Sequence, residues 1–288
     1  MQGRRDPRAG LVENDPFTRV HHQRSTPQSP ISNFWQMNFQ QPIHHHKGNL
    51  WHFSEEEKRH LMLATGAFAL ALGLMMSGGL SGLFAVGFSK WVLQLLLFMP
   101  IMLLAVGPAF LLHEIGHKIA ARHYGCWAEF RADPKGLRFG LLLAAFLGIV
   151  FMAPGAVMVA GLVTRKQNGH IAIAGPLVNL GLFLIGIPLW ALILGLTGVD
   201  MPTEVLVGNK VSWHGMVWMA AQFWLSANLV LGSFNMLPFG PLDGVKVKAW
   251  SEQAYFVLLS IFLIPIITWW FMGLWSPMDL VVSIASIF

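Results

Sequence analysis

The chain has 288 residues, of which 55% are hydrophobic and only 11% are charged, whereas soluble domains carry roughly 25% charged residues. Several stretches without Asp, Glu, Lys or Arg exceed the ~20 apolar residues that cross a lipid bilayer, which excludes a soluble protein. The 19 basic residues outnumber the 14 acidic ones, but they form no aromatic-interleaved patch, so we expect no nucleic-acid partner and interpret the excess as membrane topology. The single cysteine, Cys126, excludes an internal disulfide and a cysteine-rich metal site.

Residues 1–59 are polar, contain several prolines and lack apolar periodicity, which predicts a separate, flexible tail. No cleavable signal peptide is recognisable before the first apolar run, so we expect the first membrane helix to be retained. Ser54 followed by three glutamates is typical of a helix N-terminus at the start of that run. A membrane-embedded domain is therefore expected over 60–288.

The apolar runs after the first one predict further spanning helices. The run after Lys90 contains Pro100 and Pro108, either of which could kink a helix or mark its start. Three long runs and one short one follow: 171–197, 213–235, 253–275 and 280–288. The predicted fold class is an all-α membrane protein, a multi-pass bundle of five or six transmembrane helices with a small membrane-associated β or re-entrant segment.

The motif His113-Glu114-Ile115-Gly116-His117 places two imidazoles on one helical face, where both can reach one metal ion. Glu114 lies one residue along, in reach of a water that zinc would activate, and its carboxylate can pass a proton to the leaving amine. The alternative is a helix end capped at the membrane interface. A carboxylate after a long uncharged run is costly in lipid unless it is paired or linked to a metal, which favours the metal site.

Two histidines leave a catalytic zinc ion one protein ligand short. Besides Glu114, Asp243 is the acidic residue embedded between long apolar runs, and it follows a helix end that proline and glycine break. Unwound backbone at membrane depth is tolerated where it lines a cavity or is buried in protein. Asp243 is therefore the candidate third ligand, and a simple helix-ending turn is the alternative interpretation.

Three motifs together resemble the site-2 protease family of intramembrane zinc metalloproteases. They are His113-Glu114-Ile115-Gly116-His117 with Ala121 and Gly125 following, Gly175-Pro176-Leu177-Val178-Asn179, and Asn235-Met236-Leu237-Pro238-Phe239-Gly240-Pro241-Leu242-Asp243-Gly244. The resemblance implies that one zinc ion is bound by His113, His117 and Asp243. It implies that Glu114 is the catalytic base and that Asn235 contacts the substrate at the active site. It also implies support of the core from a neighbouring helix by Gly175, Pro176 and Asn179. Many members carry an inserted PDZ domain or an appended regulatory domain, and the minimal membrane core of archaeal and some bacterial members is the closer likeness.

The expected function is regulated intramembrane proteolysis, in which a peptide bond in a transmembrane segment of a substrate protein is hydrolysed. One alternative is a protease of the prenyl-protein type, whose third ligand is a later glutamate, and the candidates for it are Glu204 and Glu252, both in predicted loops. Another is a catalytically limited metal-binding or substrate-holding membrane protein, which would keep the fold while losing Glu114. The sequence leaves the oligomeric state open.

Basic residues flank the predicted two-helix unit on both sides: Lys58, Arg59, Lys118, Arg122, Arg131, Lys135 and Arg138. The positive-inside rule then predicts a multi-pass protein of the cell membrane with a cytoplasmic N-terminus and an active site nearer the cytoplasmic face. The apolar stretch 140–163 must return to the side it entered from. A single crossing would separate Asp243 from the histidines by a ~30 Å hydrocarbon core. Pro154-Gly155 is the expected turning point, whereas Asp133-Pro134-Lys135-Gly136 is a further turn signal.

Overall fold

The computed structural model describes residues 53–152, 154–161, 163–199, 201–207 and 210–287. Most of the predicted tail, 1–52, lies outside the described residues, so its flexibility stays a prediction. Asp200 and Asn209 of the predicted loop between two spanning helices also lie outside them.

The described residues are mainly helical. In chain order the elements are α1 (Glu55–Met76), α2 (Gly79–Val86), α3 (Phe88–His123), β1 (Trp127–Ala132), α4 (Pro134–Leu147), β2 (Gly155–Ala160), α5 (Arg165–Thr197), β3 (Leu206–Val207), β4 (Lys210–Val211), α6 (Trp213–Asn235), α7 (Asp243–Trp250), α8 (Glu252–Ile266), a π-helical turn (Ile267–Phe271) and α9 (Pro277–Ala285).

Five helices in the described part of the chain are long and apolar enough to cross a membrane: α1, α3, α5, α6 and the stretch Glu252–Phe271 that contains α8. They leave large apolar side chains exposed, among them Leu104, Ile185 and Leu196, as lipid-facing surfaces do. The predicted fold class is confirmed. The C-terminal helix α9 is too short to span a bilayer, so five spanning helices rather than six are described.

Local sequence signals mark where these helices begin. The predicted N-cap of α1 is confirmed, because the Ser54 side chain accepts a hydrogen bond from the Glu57 amide. Neither Pro100 nor Pro108 ends α3, which is continuous through both. The Asp133–Gly136 turn signal marks a helix start rather than a hairpin turn. Asp133 caps α4 and proline occupies its first position, where the missing amide hydrogen is no loss.

The stretch 140–163 does not form one spanning helix. The helix α4 ends at Leu147, and β2 then pairs with β1 in an antiparallel sheet whose register joins Trp127 to Ala160 and Ala132 to Gly155. The chain therefore returns to the end of α3 at which it started, as a centre shared by His113, His117 and Asp243 requires. The predicted small β segment is confirmed.

Helix α3 lies at the centre of the bundle. It packs against α1, α5 and α6 and carries β1 and β2 near its C-terminal end. Helix α5 in turn packs against α7, the short helix that follows the Pro- and Gly-rich break after α6. Two neighbours of α5 thus carry the metal-binding candidates, because the histidines lie on α3 and Asp243 begins α7.

Candidate metal centre

Three potential metal ligands meet inside the bundle. The Nε2 atoms of His113 and His117 are 3.1 Å apart, and Oδ2 of Asp243 lies 3.5 Å from the first and 3.0 Å from the second. All three side chains are buried. The histidines come from successive turns of α3, where a four-residue spacing returns to the same face. Asp243 is the first residue of α7, so the break after α6 brings a carboxylate back to α3.

The other ring nitrogen of each histidine is held by an oxygen that can only accept a hydrogen bond. Nδ1 of His113 donates to Oδ1 of Asn179 at 2.6 Å, and Nδ1 of His117 donates to the backbone carbonyl of Ile171 at 2.8 Å. Both hydrogen-bond partners lie on α5. With the proton on Nδ1, each imidazole presents the lone pair of Nε2 to the centre, the arrangement that metal-ligating histidines adopt.

The orientation of Asn179 is itself determined by backbone carbonyl groups. Its amide nitrogen donates to the carbonyl of Ala109 and to Oδ1 of Asn228, each at 3.0 Å. The amide nitrogen of Asn228 donates to the carbonyl of Trp224 at 2.8 Å. Because a carbonyl cannot donate, the whole relay has one direction and leaves Oδ1 of Asn179 facing His113.

The resulting centre consists of acceptors that face one another. Two Nε2 lone pairs and a carboxylate oxygen converge in a buried space, and such a set is stable when a cation lies between them. Two histidines and one carboxylate are ligands of catalytic zinc sites, which use three protein ligands and leave another position for water or substrate. The residues present therefore fit one zinc ion.

A lysine favours the ionised form of the third ligand. Burial raises the pKa of the Asp243 carboxyl, because the charged form is disfavoured away from water. Lys246, one turn further along α7, lowers this pKa, with its Nζ 3.3 Å from Oδ1. The other carboxylate oxygen, Oδ2, faces the two histidines.

Glu114 lies next to this centre on α3 and is buried. No hydrogen bond joins its carboxylate to another residue of the described chain. A buried carboxylate without an internal partner is poorly suited to a structural role, since its desolvation is uncompensated. It is suited to accept a proton from a water molecule beside the metal ligands.

Gly175 allows α5 to approach the centre closely. A Cβ atom at this position would come within 2.6 Å of Nε2 of His113 and would also meet the ring of His117. Pro176 is buried beside it within α5. The structure thus places Gly175 and Asn179 against the histidines, which gives the supporting role predicted for these two residues a specific contact.

The described contacts leave Asn235 outside the cluster. Its amide nitrogen donates to the carbonyl of Leu231, one turn back in α6, so its contact with substrate stays a prediction. Asn228 was missed by sequence reasoning. Its signal was a second polar amide on the apolar face of a spanning helix, seven positions before Asn235. Such residues in membrane helices usually have a partner inside the bundle.

The alternative ligands do not join the centre. Among the described residues, the His, Cys, Asp and Glu side chains grouped closely enough to hold a metal are His113, His117 and Asp243, with ligand atoms within 4.8 Å of one another. Glu204 and Glu252 are exposed, which argues against a glutamate ligand of the prenyl-protease kind. Cys126 is buried but is not one of the grouped ligands.

The chain is similar to several proteins named as zinc metalloproteases. It is 40% identical over 152 residues to "Putative zinc metalloprotease MJ0611" of Methanocaldococcus jannaschii, covering 52% of this chain and 70% of the relative. It is 32% identical over 189 residues to "Putative zinc metalloprotease Rip3" of Mycobacterium tuberculosis, covering 65% of this chain and 38% of the relative. It is 27% identical over 157 residues to "Putative zinc metalloprotease YwhC" of Bacillus subtilis, covering 52% of this chain and 68% of the relative.

The match thus spans less than two fifths of the Mycobacterium tuberculosis relative, but more than two thirds of the Methanocaldococcus jannaschii protein. No family model and no solved structure matches the chain. The names of the relatives give zinc as the metal, in agreement with the two imidazoles and one carboxylate of the buried centre.

Proposed function

Because the chain belongs to the zinc metalloprotease family of these relatives, which its resemblance to the site-2 proteases predicted, we propose that it hydrolyses peptide bonds within transmembrane segments of other membrane proteins. One observation carries the proposal. The ligand pair and Glu114 lie within α3, a 36-residue helix apolar enough to span the membrane, and all three side chains are buried in the bundle. A protease with its centre there acts on substrates that reach it through the bilayer.

The chemistry follows from the roles of the buried side chains. Zinc, when bound, supplies Lewis acidity and lowers the pKa of water. His113, His117 and Asp243 hold the metal, and the Nδ1 hydrogen bonds to Asn179 and Ile171 keep the imidazoles oriented. The Glu114 carboxylate accepts a proton from the attacking water and transfers it to the nitrogen of the departing amine.

A transmembrane substrate must be locally unwound before this reaction, because its backbone carbonyls are already hydrogen-bonded within its own helix. An extended segment can then add as a strand to an exposed sheet edge. The sheet of β1 and β2 packs at the C-terminal end of α3, close to the metal ligands. We propose that this sheet receives the unwound substrate segment and that Asn235 contacts it beside the scissile bond.

The deciding experiment measures cleavage of a single-span substrate in vesicles. Purified protein is stripped of metal, reloaded with zinc and compared with Glu114→Gln, which spares all three ligands. We expect Glu114→Gln to bind one zinc ion and to cleave roughly 10²–10⁴-fold more slowly. Equal cleavage by both proteins would refute the mechanism. Zinc binding without any cleavage by the parent protein would instead favour a metal-binding, substrate-holding function.

The proposed topology has a cytoplasmic N-terminus, and the centre lies nearer the cytoplasmic face. The paired strands bring the chain back between α4 and α5, so exposed Arg138 and Lys166 should lie on one side of the membrane. Cysteines at these two positions, in a Cys126→Ala background, should both react with a membrane-impermeant thiol reagent from the cytoplasmic side. Labelling from opposite sides would contradict the shared centre.

A further inference from the structure

A buried ion pair joins the helix of the metal ligands to the start of the first membrane helix. Nζ of Lys118 lies 2.5 Å from Oε2 of Glu57, and Glu57 is only 1% exposed. Lys118 directly follows His117 on α3, and its ammonium group also lies 3.9 Å from the ring centre of Phe53. Burying two charges has a desolvation cost that replacement by apolar residues would avoid, so stability alone does not explain the pair.

The second oxygen of Glu57 holds the sheet. The backbone amide of Phe130, in the middle of β1, donates to Oε1 of Glu57 at 3.2 Å. The Asp133 amide donates to the carbonyl of Pro154 and so points toward the chain that leads into β2. In an antiparallel ladder the direction of the amides alternates, so Phe130, three residues away, points to the outer side of β1. Glu57 therefore caps the outer edge of β1.

The other edge of the sheet is open. The partners of Ala132, Phe130 and Ala128 in the register are Gly155, Val157 and Val159, and by the same alternation their amides point away from β1. Within the described chain no hydrogen bond outside the strand pair occupies these three positions. The sheet thus has one edge capped by Glu57 and one edge with free backbone groups, on β2.

We propose that Glu57 and Lys118 are a positioning pair that fixes where the sheet lies along α3 relative to the metal ligands. One carboxylate connects β1 to the residue next to His117, so the open edge of β2 lies in a constant place relative to the metal centre. Resting on the proposed function, this means that a substrate strand added to β2 meets Glu114 in a defined register. The pair acts through the sheet and touches neither substrate nor metal.

The test replaces both members of the pair together. Glu57→Met with Lys118→Met keeps the buried volume, removes both charges at once and deletes the acceptor of the Phe130 amide. The matched control is Glu55→Gln with Lys58→Met. It removes the 2.8 Å ion pair on the exposed face of the same helix turn. If the buried double variant fails to fold, Glu57→Gln serves in its place, because it keeps the shape and weakens the same hydrogen bonds.

Two measurements are made on full-length protein with zinc bound. In hydrogen–deuterium exchange, the segment 127–132 should exchange at least roughly tenfold faster in the buried variant, since a charged hydrogen bond to its amide is lost. In cleavage of a single-span substrate, KM should rise roughly tenfold while kcat and zinc stoichiometry stay at parent values. The exposed control should match the parent in both measurements.

Unchanged exchange of 127–132 would overturn the proposal, because the pair would then not hold the sheet. Loss of zinc, or a fall in kcat at constant KM, would also overturn it, since the pair would then support the metal centre itself. The exchange measurement needs no proteolysis. If the parent protein cleaves nothing, the proposed function fails, whereas the effect of the pair on β1 is still decided.

Discussion

Two buried polar groups lie side by side on α3 and differ in whether each hydrogen-bond acceptor is matched by a donor. Lys118 faces Glu57, so cation meets anion, and both carboxylate oxygens have donors. One residue earlier, His117 belongs to a group in which two imidazole lone pairs and the Asp243 carboxylate face one another. The first group is electrostatically complete within the chain. The second is completed by a bound cation.

Burial of polar side chains does not by itself indicate a functional site. An ion pair in a low-dielectric interior can serve packing and register alone. A cluster of acceptors without a donor is unfavourable in the absence of a ligand. Here the orientations of the two imidazole rings are maintained by hydrogen bonds that their Nδ1 groups donate to α5. The imbalance between donors and acceptors, rather than the charge, distinguishes the metal centre.

The largest effect is expected for the loss of a metal ligand. Asp243→Ala should reduce zinc content from one ion per chain to a small fraction, because it removes one of three ligands and weakens affinity beyond the ~10–100-fold of an outer partner. Elemental analysis of purified protein measures this. Lys246→Met is the matched control, since it removes only the 3.3 Å contact to Oδ1 and should retain zinc. Full zinc occupancy in Asp243→Ala would remove this residue from the ligand set.

Breaking the balanced pair should affect stability and not metal binding. Glu57→Ala removes the carboxylate that faces the buried Lys118 ammonium group and should lower the free energy of unfolding by about 3–5 kcal/mol. Replacing both residues by methionine should cost far less, so a double-mutant cycle should show strong coupling. Denaturation in detergent, monitored by the loss of the helical circular-dichroism signal, gives the free energy of unfolding of the single and double variants. Additive effects of the single changes would show that the two side chains do not interact.

The relay behind His113 should have an intermediate effect. Asn179→Ala removes the acceptor of Nδ1 and should weaken zinc affinity about 10–100-fold. Asn228→Ala acts only through Asn179 and should weaken it less. Competition with a chromophoric chelator gives both affinities. An Asn228 variant that loses more zinc than the Asn179 variant would contradict the proposed order of the relay.

The smallest effect is expected at the surface. Lys58→Ala breaks the exposed ion pair with Glu55 and should change the free energy of unfolding by no more than about 1 kcal/mol, because solvent screens both charges. The same denaturation measurement applies. If Lys58→Ala lowered the free energy of unfolding as much as Glu57→Ala, the position in the first turn of α1, rather than burial, would determine the loss of stability.

Individual elements show what the sequence patterns could and could not predict. The uncharged runs predicted the spanning helices, because the hydrocarbon core excludes charge and each spanning segment must satisfy its own backbone hydrogen bonds there. The Asp133–Gly136 signal was ambiguous, because Asp followed by Pro begins a helix as readily as it turns a chain. Asn228 carried a weak signal, as one amide among apolar residues does not reveal its partner.

The sequence by itself determined the membrane fold class and the spacing of His113 and His117, because both depend on contacts within a few residues of the chain. Only the tertiary structure decided which groups complete these residues. Asn179 is 66 positions from His113, and Glu57 is 61 positions from Lys118, so neither contact has a local period that could predict it. Packing of α1, α3 and α5 created both contacts, and hydrogen-bond balance then made one a candidate metal centre and the other a closed ion pair.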